Sequence, residues 1–404
     1  MSEYDKVQRM LHRSDTITSG FTSKSAKDKI LISGDSTIQQ QLIRLLVKNK
    51  KGGKIILTKE SLNAFWHELR NDPDYVIIQN IPGSKTYHPF TGHSDSEIYK
   101  MLCALPGTRE ISSGLKLLLK QFSKLLVLDE NLIEAIVAQG CSISVFENRL
   151  DMLMQRGLIN EITRNSWQAR LESYVSYYGD LEVLLNDVLE FTENMIHTNG
   201  FRTAHSLEQD ITSGRNLIFV FDNDLHSASG YDKMLLTLLA GDLEFSLKNS
   251  EKRYWFIVND LSYQYVRPFE WVYSQPNVSL LMNLESVADY CLNPRYTQLI
   301  RSKFENYMIF EHRNQDMSVF WSNFFGTARI VEYNYSNSNT VTTKYPLFPI
   351  ANGLFGTQQY SEVLGFHYVD KNIHPEYELR NLRNDELFYY VKSQNRVSKH
   401  TLVI

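Results

Sequence analysis

Short apolar runs closed by glycine or polar residues alternate along this chain with stretches in which apolar positions return every three or four residues. Ile30-Leu31-Ile32-Ser33-Gly34 is one such run, and from Thr37 to Asn49 the apolar positions Ile38, Leu42, Leu45 and Leu46 keep helical spacing. That pattern predicts strand, turn and helix. Gly52-Gly53 breaks the chain, Lys54 to Thr58 reads as a second strand, a helix is expected from about Ser61 to Leu69, and Tyr75 to Ile78 is a third strand. Strands that alternate with helices in this way need crossover connections, which implies a largely parallel sheet covered on both faces.

From about Asp95 to Thr198 the period changes. SGLKLLLKQFSKLL, ENLIEAIVAQG, FENRLDMLMQRGL and DLEVLLNDVLEFTENMI follow one another with short breaks, an all-helical insertion. β-branched and aromatic runs then return at Asn216–Phe221, Tyr254–Val258, Val278–Met282 and Tyr307–Phe310, so the sheet resumes. Beyond Val331 the chain alternates Tyr, Asn, Ser and Thr, including YNYSNSNT, and is then punctuated by Pro346, Pro349, Gly353 and Gly356; irregular surface or edge structure is expected there. Residues 1–28 are polar without sustained apolar period and read as an arm. The expected organisation is therefore an arm over 1–28, a discontinuous α/β domain over 29–94 and 199–404, and an inserted all-α domain over 95–198.

Composition narrows the class. At 404 residues, with 43% hydrophobic and 22% charged positions, the chain is globular and long enough for two packed units. No stretch approaches the roughly 18 to 20 apolar residues of a membrane span, and the first residues lack the apolar centre of a signal peptide, so the cytoplasm is the expected place. Cys103, Cys141 and Cys291 form no CxxC pair and read as small buried hydrophobes. A net charge of −4 gives no sign of tight nonspecific DNA binding. The densest basic cluster, Lys48, Lys50, Lys51 and Lys54, follows a predicted helix and reads as its solvated end.

The candidate chemistry lies at the first turn. Strand, glycine turn and helix is the setting in which GxxxxGK[ST] cradles phosphates, its amides and helix N-terminus holding the anion, its lysine meeting the β/γ charge and its hydroxyl holding magnesium. Aligned on Gly34 this chain reads Gly34-Asp35-Ser36-Thr37-Ile38-Gln39-Gln40-Gln41, so glutamines replace the second glycine, the lysine and the hydroxyl, and Asp35 adds a negative charge. Triphosphate binding should weaken severely. Farther on, Tyr254 to Asp260 has the shape of a Walker B strand in which the first acidic position is Asn259 and the second is Asp260.

In serial order, these segments resemble the type IV secretion coupling proteins, DNA-pump ATPases of the conjugative TraG/TraD type. The resemblance runs over most of residues 30 to 335. RYWFIVNDLSY is similar to the family's WxxxDExxxL stretch, VSLLMNLESVADY to its strand and sensor segment, and FENYMIFEHRNQDMSVFWSNFFGTARI to its closing strand, helix and GxxxV pattern. The resemblance implies a P-loop NTPase-like (RecA-like) α/β fold. It places the P-loop lysine on Gln40, the magnesium-binding hydroxyl on Gln41, the Walker B acids on Asn259 and Asp260, and the sensor glutamine on Glu285. Only Asp260 keeps a competent side chain. The helical insertion corresponds to the family's all-α domain, which contacts transferred substrates and the relaxation machinery. With no N-terminal anchor in this sequence, the expected place is peripheral to an inner-membrane complex.

Other constellations carry less. Asp222 and Asp224, closing a strand, form a rival acidic end, read here as a solvated turn; His88 and His93 bracket a loop and are expected at the surface rather than on zinc. Arg313, Asn314 and Asp316 follow a strand end and are candidates for a retained contact, with helix capping as the competing reading. The expectation is a noncatalytic coupling-protein-like module that binds no cofactor and recruits a protein substrate or a partner ATPase. The alternatives are an active ATPase with an unconventional loop, using ATP and magnesium, and a nucleotide-independent DNA-binding scaffold.

Overall fold

The computed structural model describes residues 29–34, 37–49, 52–62, 66–67, 69, 72, 74–79, 89–105, 112–129, 131–185, 207–221, 230–248, 250–287, 294–343 and 356–401. The expected arm over 1–28 lies outside them. The chain forms two compact units: residues 1–310 with 384–404, and residues 311–383.

Nine strands make up the sheet of the first unit. Seven are β1 (Lys29–Ser33), β2 (Gly53–Lys59), β3 (Tyr75–Gln79), β4 (Asn216–Phe221), β5 (Tyr254–Asn259), β6 (Val278–Leu284) and β7 (Asn306–Ile309). In the second unit lie β8 (Thr327–Thr343) and β9 (Gly356–Asn372), and the chain returns to the first with β10 (Glu386–Val391) and β11 (Arg396–Thr401). The sheet order is β11-β10-β7-β1-β6-β5-β2-β4-β3. From β7 to β3 every pairing is parallel, while β10 and β11 extend the sheet antiparallel beyond β7. β5 and β6 are buried along their whole length, the mark of parallel strands covered on both faces. Ile30, Ile32, Ile56, Ile218, Ile257, Leu281 and Met308 form one side of that core, joined by Ile43 and Val47 from helix α1 (Thr37–Asn49). At the entry to β2 only glycine fits: a Cβ on Gly53 would lie 2.1 Å from the Tyr254 ring.

Between β3 and β4 the described chain is helical: α2 (Asp95–Cys103), α3 (Ser113–Leu128), α4 (Leu132–Gln139), α5 (Ile143–Gln155), α6 (Glu161–Glu172) and α7 (Leu207–Ser213). Caps fix the starts. Ser94 and Glu97 form a capping box at α2, Ser112 accepts from the Leu115 amide at α3, and Asn160 accepts from the Thr163 amide at α6. Leu118, Leu119, Phe122, Phe146, Leu150 and Leu171 are buried among these helices. A long helix, α8 (Gly230–Lys248), follows β4. No described helix is long and apolar enough to cross a membrane.

Three expectations change. The helix expected from Ser61 starts instead as a 3₁₀ turn, Glu60–Leu62. The stretch beyond Val331, expected to be irregular, is a two-stranded antiparallel ribbon in which Thr327 pairs with Asn372 and Thr343 with Gly356. Its dense Tyr, Thr and Val content favours extended backbone more strongly than its polarity disfavours it. Lys54, expected at a solvated helix end, lies buried in β2, and desolvation lowers its pKa although Asp72 and Asp74 oppose that.

Candidate functional site at the carboxyl edge of the sheet

Parallel strands end on one edge, and here β2, β5 and β6 end side by side. The register sets Thr58 beside Asn259 and Asn259 beside Asn283, so three polar residues stand on adjacent strands at one height. All three are fully buried, and Gln39 from the first turn of α1 is buried with them. Buried polar groups require partners, and these find them in one another. The Gln39 side-chain amide donates to Asn283 Oδ1 and, at 3.4 Å, to the Leu284 carbonyl. Asn283 Nδ2 donates to Asn259 Oδ1 at 2.7 Å, and Asn259 Nδ2 donates to Thr58 Oγ1 at 3.4 Å. The result is a relay from α1 across β6 and β5 to β2 that contains no formal charge.

Asp260 lies one residue past β5 with φ +55°, a left-handed conformation that side chains other than Asn and Asp rarely take. Three bonds hold it there. Its N–H donates to the Asn283 carbonyl at 2.8 Å, its Oδ1 accepts from the Glu285 N–H at 3.0 Å, and its Oδ2 pairs with Lys59 Nζ at 2.7 Å. The single carboxylate of this cluster is thus matched by a cation from the end of β2. Glu285, matched above to the sensor glutamine by resemblance, is exposed and touches Asp260 through its backbone.

The turn itself is short. β1 ends at Ser33 and α1 starts at Thr37, which leaves residues 34–36 between them. Gly34 has φ +147°, and its N–H donates to the Leu284 carbonyl at 3.2 Å. In the GxxxxGK[ST] pattern the second glycine, lysine and hydroxyl close a longer loop, whereas Gln39, Gln40 and Gln41 are already inside the helix. Gln40 is half-buried with its Oε1 unpartnered among the described residues, and Gln41 is exposed. Asp35 lies outside the described residues.

The structure therefore brings Gly34, Gln39, Asn259, Asp260 and the Glu285 backbone to one edge. Thr58, Lys59 and Asn283 join them unforeseen. For Asn283 a signal existed: it is the one amide in the otherwise apolar end of VSLLMNL. Lys59 and Thr58 carried none, because their partners are 201 residues away.

In the second unit, Asn314 caps the helix α9 (Gln315–Phe325), its Oδ1 accepting from the Asp316 N–H at 2.8 Å. Arg313 is 73% exposed, 3.8 Å from Glu311. Capping, the competing reading of these residues, is what the geometry displays. His93, expected at the surface, is buried: its Nε2 lies 2.7 Å from Asp242 Oδ1, which also accepts from Ser246 Oγ at 3.1 Å. Burial lowers the His93 pKa, but the bond to Asp242 and the charges of Asp242, Glu97 and Glu208 outweigh it, and the net shift is upward. The described residues contain no cluster of three or more metal-ligating side chains; His88, Asp222, Asp224 and Cys291 lie outside them. Cys103 and Cys141, expected buried, are half-buried.

A mainly parallel sheet with β6 between β1 and β5, a glycine turn leading into α1 and helices inserted after β3 make up a mixed α/β fold similar to that of solved P-loop coupling proteins. The chain is similar to the bacterial conjugative coupling protein TrwBdeltaN70 in its unbound form, with TM-score 0.53 and 10% identity over 94% of this chain and 85% of that one. It is similar also to plasmid coupling protein TrwB in complex with the ATP analogue ADPNP, with TM-score 0.55 and 10% identity over 96% and 87%, and with the GTP analogue GDPNP, with TM-score 0.52 and 12% identity over 94% and 86%. No family model matches the chain, and no curated protein matches it.

Proposed function

We propose that this chain is a noncatalytic, coupling-protein-like component of a type IV secretion or conjugation-type system, which recruits a protein substrate or a partner ATPase through its all-α segment, residues 95–198. It works in the cytoplasm at the periphery of a membrane complex. The observation that carries this reading is the buried neutral relay Gln39–Asn283–Asn259–Thr58. Phosphoryl transfer depends on positive charge aimed at the γ-phosphate and on acids that hold magnesium. Here the positions that would supply the glycine, the lysine, the hydroxyl and the first acid are amides. The remaining acid, Asp260, is matched by Lys59. Internal bonds thus occupy Gln39, Asn259 and Asp260, and protein groups alone tie the strand ends together.

The test is a titration of the full chain with ATP and magnesium, followed by a phosphate-release assay. No saturable binding and no release are expected. Magnesium-dependent turnover that Asp260→Asn abolishes would replace this reading with the active ATPase. DNA binding that falls steeply with salt would favour the nucleotide-independent scaffold.

A further inference from the structure

Helix α3 turns two faces in opposite directions. Leu115, Leu118, Leu119, Phe122, Leu125 and Leu126 are buried. Opposite them stand Lys116, Leu117, Lys120, Lys124 and Val127, all exposed apart from the half-buried Lys124. At 3.6 residues per turn these five positions fall within roughly 100° of arc, and from Lys116 to Val127 they run about 16 Å along the axis. Val127 projects between Lys116 and Lys120 around the helix, and Leu117 shares the azimuth of Lys124 two turns away. The face is one stripe, basic and aliphatic together.

Two observations set this stripe apart from an ordinary solvated helix. Ser113–Leu128 contains no acidic residue, and none of the three lysines makes an ion pair among the described residues. Leu117 is 47% and Val127 42% exposed, and every exposed large hydrophobic residue described in the first unit lies between 117 and 183. A surface helix normally shields such lysines with acids three or four positions away. Here no acid of the same helix stands beside them.

We infer that the exposed face of α3 docks an acidic amphipathic helical segment of a protein partner, with carboxylates at i, i+4 and i+8 against Lys116, Lys120 and Lys124, and aliphatic side chains against Leu117 and Val127. Charge and size favour this occupant over a nucleic acid. The molecule carries a net charge of −4, which offers a long polyanion no overall attraction, whereas a three-turn segment meets only the basic stripe. The two aliphatic side chains give a helical peptide apolar area to bury that a phosphate backbone does not offer. The inference deepens the recruiting role proposed above and rests on it.

The experiment is fluorescence anisotropy of the full chain with a labelled synthetic helix bearing glutamates at i, i+4 and i+8 and leucines beside them. Binding in the range of about 10 μM is expected. Lys116→Glu, Lys120→Glu and Lys124→Glu together should weaken it at least about tenfold, and the variant should bind the lysine version of the same peptide instead. Unchanged thermal denaturation shows that the variant is folded. Leu117→Ser with Val127→Ser should also weaken binding, while raised salt should weaken it only partly. The inference is overturned if wild type and triple variant bind the glutamate helix equally or not at all. It is equally overturned if duplex DNA or phosphatidylserine vesicles, rather than the peptide, show the lysine dependence. None of these measurements involves nucleotide, so failure here leaves the ATP titration as a separate test of the noncatalytic reading.

Discussion

At the carboxyl edge of the sheet, Gln39, Asn283, Asn259 and Thr58 are buried, neutral and bonded in series. In the helical segment, by contrast, polarity is charged. Asp129, buried, is clasped by two nitrogens of Arg149; Arg164 holds Asp151 at 2.8 Å; and Gln168 donates to both Glu147 and Glu172 at 2.9 Å. An amide can be buried at the cost of finding one or two hydrogen bonds, whereas a buried charge also needs a counter-charge. The edge satisfies Gln39, Asn283, Asn259 and Thr58 internally. The helical segment carries a basic stripe on α3 with no ion pair among the described residues, which is where the inferred partner would bind.

The largest test of this contrast is Arg149→Ala. It strands the Asp129 carboxylate, which is 2% exposed, and should cost about 3 to 5 kcal/mol in chemical denaturation. A cost near that of an exposed pair would mean that the helical segment does not depend on buried charge. Next is Asn283→Ala, which deprives Asn259 Oδ1 and the Gln39 amide of their shared partner. About 1 to 3 kcal/mol should be lost, the cost of orphaning Asn259 Oδ1, since the Gln39 amide keeps the Leu284 carbonyl. A change within about 0.5 kcal/mol would show that the relay is incidental and would remove the physical basis of the noncatalytic reading.

The smallest effect is expected at His93, where a charge meets α8 beside the helical segment. Its folded pKa lies above the ordinary 6.5 because the bond to Asp242 and the surrounding carboxylates outweigh burial. A raised pKa means that the pair contributes stability fully below about 6.5 and loses it as pH rises through the folded value. Denaturation followed from about pH 6 to pH 9 should show this decline in the wild type and not in His93→Gln. Parallel pH dependence in both would detach the pair from the stability of the fold.

Much of this was legible in the residues. β1, β2, β5 and β6 announce themselves as apolar runs, α3 and α5 as helical periods, and amides at Gln40 and Asn259, where the motifs call for lysine and acid, are visible without any structure. These signals are local: a strand buried on both faces must be apolar, and an amphipathic helix must repeat near 3.6. The ribbon β8–β9 escapes such a reading because polar Tyr, Asn, Ser and Thr mark loops and edge strands alike.

Local pattern alone points to an α/β chain with a helical insertion, and shows that the turn after β1 lacks the lysine and hydroxyl of GxxxxGK[ST]. That Lys59 meets Asp260, that Asn283 joins Gln39 to Asn259, and that His93 is buried on Asp242 emerge only once the chain is folded. Each of these pairs lies more than a hundred residues apart in the chain, except Asn283 with Asn259, which are 24 apart on neighbouring strands. Strand order and register bring them together, and no local pattern of hydrophobic and polar positions encodes which buried donor will face which acceptor.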